Sequence, residues 1–239
     1  MAGGRQERVM LCALVGVIVA CLAAPSAGES SGQKLVQVSV SAPWAAAPVV
    51  MEAAEFFSGD QESLFWPFAE ALGSSSASGT DEEQFRAAEE ATLAVASDSQ
   101  VKVLRFAIAL RDSSPRLELH RTTWASATAA GCSIADPAGA VAVVGGRCVT
   151  EASALREAVE KCSADGKEEH MAMHKGDRVY PSKASPPPVP VFLYATVGTQ
   201  AFLSFHRELK KLSEEDAARY VFRHTWSGWR ERAEGCTGG

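Results

Sequence analysis

The sequence predicts an α/β domain whose first half is mostly helical and whose second half carries the strands. Two observations lead there. Residues 50–129 are dominated by segments with helical spacing. Residues 139–149 and 189–224 instead carry short apolar runs bounded by Gly and Pro, and the second stretch reads strand, helix, strand. That order suits two parallel strands joined by a right-handed crossover.

Taken along the chain, Lys34 to Ser41 alternates apolar and polar residues and is predicted as a strand with one buried face. Pro43 and Pro48 end the alternation. Val49–Phe57 and Glu62–Leu72 have helical spacing, separated by Gly59-Asp60. Gly73 to Gly79 is a flexible loop by composition. Thr80 with Glu83 forms a capping-box pattern ahead of a helix running to about Ala96. Val101–Leu110 is apolar enough to be a buried helix, and Arg116–Ala129 is predicted as another. Gly139–Val149 reads as strand, tight turn, strand, followed by a helix over Glu151–Cys162. Ala164–Pro190 is polar and Pro-rich and is predicted as an exposed loop. Val189–Val197 is a buried strand, Gly198-Thr199 opens an amphipathic helix, and Arg219–His224 is the strand after it.

The chain has 239 residues, 46% hydrophobic and 22% charged, so it can form a core and is not wholly disordered. Its net charge of −6 argues against nucleic-acid binding, which needs a concentrated basic face. Arg5 and Arg8 precede the apolar run Val9–Ala24, which exits through Ala24, Ser26, Ala27 and Gly28. This is the layout of a signal peptide, assigned to residues 1–27. The run is short for a spanning helix, and no second one follows. The mature protein is therefore expected free of the membrane in the secretory lumen. Of six Cys, four lie beyond the leader: Cys132, Cys148, Cys162 and Cys236, with three possible pairings. There is no Asn, hence no N-glycosylation acceptor, and no ER-retention tetrapeptide at the C-terminus.

Few residues suggest chemistry. His170 and His174 lie four apart, but Met171 stands where a metalloprotease has its Glu, and the flanks are loop-like. A solvated loop is the expectation there. His206 and His224 sit in hydrophobic runs and are expected to be packed rather than catalytic. No GxSxG elbow and no phosphate-binding glycine motif occurs, and Gly145-Gly146 reads as a hairpin turn. The strand entering a helix at Gly198 resembles the junction that carries the redox CxxC of thioredoxin-like folds. Superposed, Gly198 and Ala201 fall on the two Cys positions, and neither supplies a thiolate.

Several blocks then resemble one family. In residues 42–68, Trp44, Pro48, Glu52, Glu55, Phe56, Phe65 and Trp66 match the opening of the UDP-glucose:glycoprotein glucosyltransferases. Residues 106–121 are similar to the family's next helix and its S-P-R-L corner, residues 191–209 to its Y-x-x-x-G-x-x-x-F-x-x-F-H element, and residues 220–224 to the strand beyond. The similarity spans roughly residues 35–236, and the S-P-R-L form and the Gly235-Cys236 ending are most similar to plant or algal members.

The resemblance implies a thioredoxin-like domain over residues 33–228 with its helical insertion at about 50–129, and a tail, 229–239, leading into downstream domains. It implies the misfolded-glycoprotein-sensing first domain of an endoplasmic reticulum enzyme of glycoprotein quality control. The partners implied are misfolded glycoproteins and the enzyme's own later domains. The sequence contains no DxD, so the divalent metal and UDP-glucose are expected only in a separate catalytic domain, as for a truncated gene model or fragment. No activity or cofactor is expected of this chain alone. The alternative is a free-standing, redox-inactive binding protein of the secretory pathway. Cys132 and Cys148, either side of the predicted hairpin, match a Cys pair of the family's first domain and are expected to form a disulfide. The aromatics of the first helices, Phe56, Phe57, Phe65, Trp66 and Phe68, are expected to fill the core, as large aromatics at helical spacing usually do; the candidates for client contact among them are Phe57 and Phe68, because Phe56 and Phe65 fall better on the apolar face.

Overall fold

The computed structural model describes residues 47–57, 62–74, 76–110, 113–129, 131–134, 139–165, 171–182 and 189–226. The predicted signal peptide, the strand over 34–41 and the tail 229–239 lie outside the described residues.

Among the described residues five helices come first: α1 (Val49–Phe56), α2 (Glu62–Ala71), α3 (Asp81–Val95), α4 (Asp98–Leu110) and α5 (Ser114–Ala129). Thr80 caps α3 as its sequence pattern requires, accepting from the Glu83 N–H while the Glu83 carboxylate accepts from the Thr80 N–H at 2.8 Å. The hairpin β1 (Ala140–Val144) and β2 (Arg147–Val149) follows, turning on Gly145 and Gly146, both at positive φ. A short 3-10 turn leads into α6 (Leu155–Asp165). The chain then forms β3 (Arg178–Val179), β4 (Pro190–Ala195), α7 (Gln200–Glu214) and β5 (Arg219–His224).

The sheet order is β2-β1-β4-β5-β3. The pair β4–β5 is parallel, joined across α7, whereas β1 meets β4 and β3 meets β5 antiparallel. Side chains alternate between its faces. Ala142, Val144, Val191, Leu193, Tyr220 and Phe222 join the larger core with α1, α2, α6 and α7. Val141, Val143, Phe192, Tyr194 and Val221 face the smaller one, under Trp124 and Ala127 of α5. Within the insertion α1 is central and packs against α2, α3, α4 and α5.

Three expectations need correction. Helix α4 is not a buried helix: Val101 and Leu104 are buried, but Val103, Phe106 and Leu110 stand 55%, 65% and 62% exposed. The polar stretch 164–190 is not wholly an exposed loop, because it contributes β3 and the buried side chains of Asp177 and Arg178. Phe57 and Phe68 are not surface groups, for both are 0% exposed and their rings meet at 4.8 Å. Phe68 is three residues after Phe65 and so shares its buried face. Phe57 lies just past the end of α1, where helical spacing no longer governs direction, and it turns back onto α2.

Candidate functional site

The strand–helix junction is built by β4, a turn over Thr196–Gly198 and the cap Thr199. The Thr199 hydroxyl accepts from the Phe202 N–H at 3.1 Å and donates to the Thr196 carbonyl at 2.8 Å. Gly198 sits at φ 75°. Its carbonyl accepts from the Ala77 N–H at 3.2 Å. A Cβ on Gly198 would lie 3.0 Å from the Ser76 Cβ and 3.2 Å from the Ala77 nitrogen. Backbone angle and close approach both demand glycine here. The loop after α2 therefore lies directly over Gly198, the position matched to the first redox Cys in the sequence superposition.

Cys132 and Cys148 are joined in a disulfide, Cα to Cα 5.5 Å, tying the end of α5 to the edge strand β2. Cys162 on α6 is a half-buried free thiol whose sulfur packs over Gly145. Cys236 and His170 lie outside the described residues. His174 is half-buried, and its backbone N–H donates to Asp177 at 2.7 Å.

The described residues hold three buried polar clusters. In the first, Glu55 of α1 accepts from Arg178 of β3, from Arg116 of α5 at 3.2 Å and from His224 Nε2 of β5 at 3.1 Å. His120 of α5 stacks on His224, accepts the His224 backbone N–H at Nδ1 and donates from Nε2 to the Gly176 carbonyl, each at 3.2 Å. Burial opposes ionisation of Glu55, but the His224 hydrogen bond and the Arg178 charge hold its carboxyl well below the usual range. Burial lowers His120 to about 4 and also lowers His224, against the pull of Glu55. In the second cluster Arg223, over the Phe192 ring, donates to both Asp177 oxygens, to the Tyr194 hydroxyl and to the Ala172 carbonyl. In the third, His206 lies between Trp66 and Phe202, with Glu70 at 3.0 Å and the Tyr220 hydroxyl at 3.2 Å. His206 and His224 are thus packed, as expected of them.

Glu55, His120 and His224 place one donor atom each within 4.8 Å of one another, the spacing of a metal site. The surroundings oppose one. Two guanidinium groups already occupy the Glu55 carboxylate, and both His120 nitrogens are committed. The cluster is an ionic clasp between insertion and sheet. Sequence reading missed it, because Glu55 lies 61, 123 and 169 residues from the Arg116, Arg178 and His224 that it holds. The available signals were polar residues in apolar runs, Glu52 and Glu55 in VVMEAAEFF and His224 in RYVFRH.

Residues 46–232 match the family model of a thioredoxin-like domain. The chain belongs to this family. The thioredoxin-like chain is similar to UDP-glucose:glycoprotein glucosyltransferase 1 of Homo sapiens, 31% identical over 195 residues, which cover 80% of this chain and 12% of that protein. The mouse protein of the same name is 30% identical over 215 residues, 88% of this chain and 13% of its own length. The probable glucosyltransferase A of Dictyostelium discoideum is 25% identical over 225 residues, 82% of this chain and 13% of the relative. The chain thus spans about an eighth of the length of these curated relatives. Among the described residues, no helix is long and apolar enough to cross a membrane.

Proposed function

We propose that this thioredoxin-like domain serves a UDP-glucose:glycoprotein glucosyltransferase of the endoplasmic reticulum lumen as a module that senses misfolded glycoproteins. It takes part in glycoprotein quality control, while glucose transfer from UDP-glucose, with its divalent metal, resides in another domain. One observation carries the reading: similarity to these enzymes runs through a thioredoxin-like domain whose redox junction holds Gly198 and Ala201 and is roofed by Ser76 and Ala77. A domain without that chemistry is suited to binding.

The surface supports the same role. Phe57 and Phe68 lie in the core, so contact falls instead to the exposed apolar residues of the insertion. Leu93 on α3 is 54% exposed. Val103, Phe106 and Leu110 follow one another at spacings of three and four and share one face of α4. Exposed apolar side chains grouped in this way mark interaction sites rather than ordinary surface.

The test is binding of the purified chain to one glycoprotein in its native and its denatured form. Preference for the denatured form is expected, and Phe106→Ser with Leu110→Ser should weaken it by at least fivefold at an unchanged melting temperature. Equal binding to both forms would reject the sensing role.

A further inference from the structure

One buried cluster is bonded in a way that tolerates a single protonation state, and it lies where the helical insertion meets the sheet. The rings of His120 on α5 and His224 on β5 stack with centroids 5.6 Å apart, and both side chains are fully buried. His120 donates from Nε2 to the Gly176 carbonyl and accepts the His224 backbone N–H at Nδ1. An imidazolium carries a hydrogen on each nitrogen and accepts nothing. Protonating His120 therefore sets two donors against each other and breaks the bond from α5 to β5. His224 is equally constrained. Its Nε2 donates to Glu55, and its Nδ1 has no partner among the described residues. A proton there would be a buried donor with nothing to receive it.

We propose that the His120–His224 pair is an acid-operated latch, which holds α5 of the insertion against the sheet at neutral pH and lets it go when either ring takes up a proton.

The charged groups facing the pair do not rescue the protonated form. They are Glu55 from α1, Arg116 from the helix of His120 itself, Arg178 from β3, and Asp177 from the segment leading into β3. Glu55 is already shared by Arg178 and Arg116, and Asp177 is held by Arg223. The Arg178 and Arg116 guanidinium groups repel an added positive charge on His224, and the two rings would repel each other.

Burial is the first cause of the lowered His120 value, about 4 against an ordinary 6.5. The sign follows from linkage. The released state binds more protons than the latched one, so the latch is at full strength above about pH 6.5 and weakens toward pH 4. Each pH unit in that window is worth about tenfold in the latching equilibrium, up to about 300-fold for the whole shift.

Release is local. Phe65 and Trp66 of α2 remain packed on Phe222 and Tyr220 of β5 through apolar contact. The Cys132–Cys148 disulfide keeps the far end of α5 tethered to β2. The latch is independent of the function proposed above.

Segment-resolved hydrogen exchange on the full chain, corrected for the intrinsic pH dependence of exchange, tests it. Between pH 7 and pH 5 the protection of α5 should fall at least tenfold relative to β4. His120→Asn places a non-titrating carbonyl oxygen near the Nδ1 position, where it accepts the His224 N–H, and the acid loss should then be several-fold smaller, leaving only the share of His224. Parallel behaviour of α5 and β4 in the unmodified chain, or an undiminished acid loss in His120→Asn, would overturn the proposal. Nitrogen-15 spectra of the unmodified chain give a reading that does not depend on the variant folding. His120 should remain neutral, with hydrogen on Nε2, down to about pH 5, and a His120 that charges near pH 6.5 would also overturn the proposal.

Discussion

Arg178 is the residue on which the ionic clasp turns. Its guanidinium and the Glu55 carboxylate are both almost wholly buried, whereas Arg116, the second cation on Glu55, is about one-third exposed. Removing one partner of a buried pair leaves an uncompensated charge, which typically costs 3–5 kcal/mol, roughly. Removing an exposed partner costs about 1 kcal/mol or less. Arg178→Ala is therefore expected to lower the unfolding free energy by about 3 kcal/mol or more in denaturant titration. Arg116→Ala should cost about 1 kcal/mol. Equal losses from the two would show that burial does not decide the strength of this cluster. Single residues were the hardest feature to read from the sequence. Helical spacing sorts side chains by face only inside a helix, so it does not govern Phe57, one residue past α1, whose ring fills the space against Phe68. Glu55 stood in plain view, but what it holds together is set by tertiary approach of α1, α5, β3 and β5, which no local pattern encodes.

Elements were far more legible, because they follow from short-range rules. The Thr80–Glu83 capping box marks the start of α3, and the two glycines of the β1–β2 turn sit at the positive φ their sequence signals. The parallel β4–α7–β5 unit follows from two apolar runs flanking an amphipathic helix. Strand β3 escaped notice because it is two residues long and lies in a polar stretch. Helix α4 was apolar enough to look buried, yet only one side of it meets the other helices. At this scale the disulfide is the main covalent restraint. Cys132 ends the segment after α5 and Cys148 lies on the edge strand β2, sixteen residues on. Closing a loop of that size stabilises by about 3 kcal/mol in the chain-entropy model. Cys132→Ser with Cys148→Ser should lower stability by about that amount and leave β1–β4 pairing intact. Peptide mapping without reductant that recovers either Cys as a free thiol would remove the basis for this expectation.

For the whole molecule, the insertion changes what the thioredoxin-like sheet can do. Besides apolar packing of α2 and α5 on the sheet, it is docked through the clasp around Glu55 and the Ser76–Ala77 cover over Gly198. The second occupies the end of β4 where a reactive thiolate would otherwise meet its substrate. The fold and the residue identities are thus both expected to oppose redox chemistry here, and the two can be separated experimentally. Gly198→Cys with Ala201→Cys restores a CxxC at the helix N-terminus, where a thiolate is electrostatically favoured. If residue identity alone were responsible, this variant would reduce insulin with a dithiol as the electron source. The cover argues otherwise. A side chain at position 198 must adopt φ near 75° and approach the Ser76 Cβ to 3.0 Å and the Ala77 nitrogen to 3.2 Å. Strain of that kind costs of order 1–3 kcal/mol. The double variant is therefore expected to melt at a lower temperature and to show no turnover above the unmodified chain. Turnover at rates typical of disulfide oxidoreductases, in a variant that still melts cooperatively, would show that the loop yields readily and that the junction is closed by sequence alone.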